Sequence, residues 1–147
     1  MPVTDAIPRP ALILGWAGVI PFALLTTATA LDIPLWTSDP AWALRAYGAC
    51  ILSFLGGAQW GLLLPRSESG YSPFSRYSVS VLPSLLGFLC LLVPNQPGLI
   101  GLLIGFIGLL AYDVATVRQG LAPRWYTSLR LQLTVAIALL LGIAALT

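Results

Sequence analysis

Five apolar runs, at about 11–31, 40–64, 76–93, 97–118 and 123–146, each approach or exceed the roughly 20 residues that a helix needs to cross a hydrocarbon core. In lipid a spanning segment must satisfy its own backbone donors and acceptors, so runs of this length are expected to be helices. Little sequence is left between them. The chain therefore reads as one all-α integral membrane domain over residues 1–147, a bundle of five transmembrane helices with no linker or second domain. Composition agrees, since 58% hydrophobic and 8% charged residues with a mean hydropathy of +0.91 lie far from a soluble globular domain.

Local signals punctuate the runs. Ser38-Asp39-Pro40 is suited to cap and start the second helix, Pro94-Asn95-Gln96-Pro97 reads as a tight turn, and Gly120 with Pro123 closes one helix and opens the next. Pro21 and Pro83 each remove a backbone donor one turn after Ala17 and Val79, so kinks are expected there. Ala28-Thr29-Ala30 has the form of a leader-cleavage site. The run before it is as long as a full span and is interrupted by Gly18 and Pro21, so a retained membrane helix is expected.

Arginine sets the expected orientation. Arg9, Arg66, Arg76, Arg118 and Arg124 fall in the N-terminal segment, the second connection and the fourth. The first connection has Asp32, Asp39 and only Arg45, and the third is uncharged. The positive-inside rule then places the N-terminus in the cytoplasm, or its organelle equivalent, and the C-terminus outside. Trp36, Trp42, Trp125 and Tyr126 lie near helix ends, where amphipathic rings favour the interface.

Several functions are excluded. A net charge of +2 is too small and too scattered for a nucleic-acid surface. Without histidine, and with Cys50 and Cys90 in separate apolar runs, ligands for a metal or haem cofactor are missing. No nucleophile has a base beside it, no carboxylate pair is present, and one intramembrane acid is too few for a proton relay. Neither a catalytic constellation nor a cofactor is expected.

Three polar side chains are hard to hide in lipid: Gln59, Asp113 and Arg130. At 1.5 Å per residue they lie about 8, 8 and 10 Å inside their helices, all from the expected cytoplasmic side. Tyr77, Ser80 and Ser84 share one helix face that starts at the same surface. With Trp60, Tyr112 and Tyr126 they make a candidate polar cluster. Asp113 and Arg130 should pair, because a lone charge facing hydrocarbon costs a few kcal/mol or more. That pair can simply pin two helices. Trp60 is suited to packing, and Ser80 and Ser84 to bonding back to their own helix.

Small residues form stripes along which helices can approach: Ala46, Ala49, Cys50, Ser53, Gly56 and Gly57, leading to Trp60, on the second helix, and Gly98, Gly101, Gly105 and Gly108, leading to Tyr112, on the fourth. Thr127, Arg130, Thr134 and Ala138 line the fifth. Gln59 and Asp113 fall about 60° off their stripes, at an edge that a partner or a wet pocket can reach.

The stretches GWAGVIPF (15–22), YGACILSFLGGAQWG (47–61), YSVSVLPSLLGF (77–88) and YDVATVRQGLAPRWYTSLRLQLT (112–134) resemble a family of small multi-pass membrane proteins of unknown function, DUF3429, with transmembrane-protein-69-like mitochondrial members. The resemblance implies a bacterial inner-membrane or mitochondrial inner-membrane location and no established activity. It also implies that relatives often have histidine where this chain has Gln59.

Two kinds of function fit. The first is a non-enzymatic accessory or assembly subunit of a larger membrane complex, whose partners are the bilayer, other subunits or a second copy of itself. The alternative is binding or transport of a small molecule, a quinone, lipid headgroup or anionic solute, in a cytoplasmic-side intramembrane pocket formed by the polar cluster. An enzyme acting on lipid or isoprenoid has the least support, since Asp113 alone would do its acid–base work.

Overall fold

A computed structural model describes residues 6–34, 39–67 and 74–147, with side chains of the second stretch described to residue 63. Among these residues the helices are α1 (Arg9–Ala17), α2 (Val19–Ala30), α3 (Pro40–Ser67), α4 (Phe74–Leu92), α5 (Asn95–Arg118) and α6 (Arg124–Leu146). Among the described residues five stretches are long and apolar enough to span a membrane, α1 and α2 together making the first over Arg9–Ala30. The protein is a multi-pass helical membrane protein.

The first span breaks at Gly18, between α1 and α2, rather than bending as one helix at Pro21. Proline removes the donor for the Ala17 carbonyl, and the neighbouring Gly18 carbonyl accepts a 3.0 Å hydrogen bond from the Tyr47 hydroxyl of α3. Pro83, by contrast, lies inside a continuous α4.

Helix ends follow their local chemistry. Asp39 Oδ1 accepts from the Trp42 N–H at 2.8 Å and caps α3; its expected companion Ser38, like Trp36, lies outside the described residues. The turn before α5 is shorter than expected: α5 already starts at Asn95, so Asn95, Gln96 and Pro97 form its first turn, where proline's missing donor costs nothing. At the other end of α5, Gly120 takes a positive φ of 71°. Leu121 N–H then reaches Thr116 O and Gly120 N–H reaches Val117 O, a Schellman closure that a residue with a Cβ would strain.

Helix α3 packs on α4, α4 on α5, α5 on α6, and α2 on both α3 and α6; α3 also touches α5. Phe22, Leu44, Leu52, Leu102, Phe106 and Leu141 fill the centre, with the Phe22 ring edge-on to Tyr47 at 4.9 Å and to Phe106 at 5.9 Å. Glycine is what lets α3 and α5 come close to their neighbours: a Cβ on Gly56 would lie 2.6 Å from the Ser80 carbonyl oxygen, and one on Gly98 would lie 2.5 Å from that of Cys90.

The expected small-residue stripe on α3 is rotated. Ala49 and Gly56 are buried and Ala46 and Ser53 half-buried, but Cys50, Gly57 and Trp60 are exposed. The buried face is set by the larger residues Leu44, Arg45, Leu52, Gln59 and Leu63. Burial therefore separates two adjacent glycines. Gly56→Ala should lower the thermal unfolding temperature in detergent, by an overpacking cost of about 1–3 kcal/mol. Gly57→Ala, with nothing within 4 Å of the added carbon, should raise it slightly, as alanine gains about 0.5–1 kcal/mol over glycine inside a helix.

Candidate functional site

Three helices meet at Asp113. It projects from α5 one turn before that helix closes, and it is 1% exposed. Arg130 of α6 donates from Nε to Asp113 Oδ2 at 2.5 Å, and Gln59 of α3 donates from Nε2 to Asp113 Oδ1. Tyr126, one turn before Arg130, lies beside the same carboxylate. Gln59 and Arg130 are each 3% exposed. Gln59 and Asp113 are therefore buried within helix contacts, not at the reachable edge expected from their offset to the small-residue stripes.

The geometry is that of a lock. A carboxylate in a low-dielectric site is stabilised by donors fixed against both of its oxygens, and here these come from separate helices. Satisfaction is incomplete on the arginine side, where Arg130 Nη2 has no partner among the described residues; nor do Thr127 Oγ1 and Thr134 Oγ1 on the same face of α6.

The other candidates separate into two groups around this lock. Ser80 is buried and donates back to Tyr77 O at 2.7 Å, and Ser84 is half-buried one turn further on. Trp60 and Tyr77 stack edge-on at 4.9 Å and line a cavity of about 370 Å³ with Phe74 and Val81. Tyr112 instead faces a groove between α4 and α5. Neither cavity is lined by Gln59, Asp113 or Arg130.

A second polar tie at the opposite end of the bundle was not expected. Arg45, assigned by sequence to the charges of the first connection, is 4% exposed. It donates from Nη1 to Cys90 O at 3.0 Å and Val93 O at 2.6 Å, and from Nη2 to Asn95 Oδ1 at 2.5 Å. The carbonyls at the end of α4 lack intrahelical donors and carry the negative end of the helix dipole, so a guanidinium is a suitable partner without any acid. A sequence signal for this was present: Arg45, Leu52 and Gln59 recur every seven residues on one face.

Residues 7–146 match the family described as a protein of unknown function (DUF3429). The chain belongs to this family. Among its relatives, Transmembrane protein 69 of Xenopus tropicalis is 38% identical over 133 residues, covering 87% of this chain and 50% of that protein. Transmembrane protein 69 of Mus musculus is 32% identical over 133 residues, covering 87% and 52%. The DUF3429 chain thus spans about half the length of the curated relatives it matches. No solved structure matches it.

Breaking the lock from one side should be severe. Asp113→Leu or Arg130→Leu alone leaves a buried group uncompensated, and each is expected to cost about 3–5 kcal/mol. The double substitution should cost clearly less than the sum of the two. Unfolding titrations of the four proteins in mixed micelles give the coupling directly, and strict additivity would show that the pair is not a unit.

Proposed function

We propose that this DUF3429 protein is a non-enzymatic accessory or assembly subunit of a larger complex in a bacterial or mitochondrial inner membrane. One observation carries the reading. Gly57 and Gly61, one turn apart on α3, are exposed, and among the described residues an added Cβ at either would meet nothing within 4 Å. Cys50 and Phe54 continue the same outer face, at the four- and three-residue spacings of a helical stripe.

Inside the bundle this chain uses glycine where two helices touch, as at Gly56 and Gly98. On the outer face of α3 it carries the helix-weakening cost of two glycines, about 1 kcal/mol each relative to alanine, with no contact in return. Small residues four apart let a second transmembrane helix approach closely, and association in lipid depends on that packing. The occupant we assign to this face is an apolar helix of another subunit. Less supports a ligand held by the polar cluster itself, because both oxygens of its carboxylate already accept hydrogen bonds from Gln59 and Arg130.

Site-specific photo-crosslinking in native membranes tests the assignment. A crosslinker at position 57 should give a discrete adduct with a second membrane protein, and Gly61→Leu should abolish it without lowering thermal stability. The same group at Leu139, 64% exposed on α6, should give lipid adducts only. Identical products from both positions, lipid alone from position 57, or a product made only of two copies of this chain would each overturn the accessory reading.

A further inference from the structure

The groove between α4 and α5 is separate from both the polar lock and the glycine face of α3. Its floor and walls are apolar, formed by Leu82, Pro83, Leu86, Leu89, Ile104 and Gly108 around about 610 Å³. At the end where α4 starts and α5 finishes it runs into a smaller polar recess of about 140 Å³, which holds Ser75, Arg76, Thr116 and Gln119. Val79 and Tyr112 line both, so the two adjoin. Arg76 donates from Nη2 to Gln119 Oε1 at 2.8 Å, which fixes its guanidinium across the mouth from α4 to α5. Among the described residues that bond engages one of the five donors of an arginine, and no carboxylate lines either part.

We propose that this groove is a binding site for an anionic phospholipid, with the phosphate at Arg76 and one acyl chain lying over Gly108. Length supports the assignment. From Val79 to Leu89 the apolar part runs about 15 Å along α4, at 1.5 Å per residue. That is half of a hydrocarbon core about 30 Å thick, the depth of a single leaflet. Chemistry supports it too, because a planar guanidinium with donors to spare matches the oxygens of a phosphate. The chain lies there because side chains are missing: among the described residues a Cβ on Gly108 would meet nothing within 4 Å, whereas one on Gly105 beside it would lie 2.8 Å from both Leu52 and Leu86. A bulky residue at position 108 therefore fills the groove without entering a helix contact.

The full chain, purified in detergent, can be titrated by native mass spectrometry with phosphatidylglycerol and phosphatidylcholine of the same acyl chains. Phosphatidylglycerol should bind about fivefold more tightly, the effect of one basic residue at an anionic surface. Arg76→Gln should erase that preference, and Gly108→Phe should weaken both lipids, with unfolding temperatures unchanged. Arg118→Gln, exposed beyond the recess, should keep the preference. If Gly108→Phe fails to fold, Ile104→Trp on the groove wall gives the same readout. Glycerol 3-phosphate, a headgroup without chains, should not displace the lipid. The proposal is overturned by equal binding of the two lipids to the unaltered protein, by groove-filling variants that bind normally, by displacement with glycerol 3-phosphate, or by an equal loss of preference in Arg118→Gln.

Discussion

A charge inside a bilayer has to be answered by the protein, because lipid tails offer it nothing. Among the described residues two buried arginines and one buried carboxylate impose that requirement, and the bundle is organised around meeting it. At one end Asp113 draws together α3, α5 and α6 through Gln59 and Arg130. At the other, Arg45 ties α3 to the carbonyl end of α4 and to Asn95 at the start of α5. Between the ties the core is hydrocarbon, and hydrocarbon packs no better against a helix than against lipid. The polar ends thus specify which helices are neighbours and in what rotation, while close contact through glycine supplies the dispersion energy.

That division has a functional corollary. Groups that would serve chemistry in another protein are consumed by architecture: among the described residues the one buried carboxylate is held by Gln59 and Arg130 from two other helices. What remains available lies on the periphery, as the bare glycines of α3 and the furrow between α4 and α5. These are the two surfaces to which the proposals above assign a helix and a lipid.

Much of the fold was legible because hydropathy length and turn residues report directly on membrane helices. The spans, the Asp39 cap and the Gly120 closure all follow from local chemistry. Asp113 and Arg130 were readable as partners because lipid leaves charges on adjacent helices few choices. Rotation was harder. On α3 the small residues seemed to mark the buried face, yet Gly56 and Gly57 differ by 100° and only one is covered. The face was decided by Arg45, Leu52 and Gln59, whose seven-residue spacing competes with the stripe and whose weight depends on partners in other helices. Arg45 itself was misread because an arginine near a helix end ordinarily snorkels to water, and nothing local announces that the end of α4 lies beside it.

The separation of Asp113 and Arg130 by only seventeen residues also bears on how the chain enters the bilayer. Either of the last two helices alone would carry an uncompensated charge into hydrocarbon. Joined by the short Gly120–Pro123 connection, they can neutralise one another before lateral release. The final hairpin is thus built to partition as a unit, and Gln59 then offers that unit a berth against an earlier span.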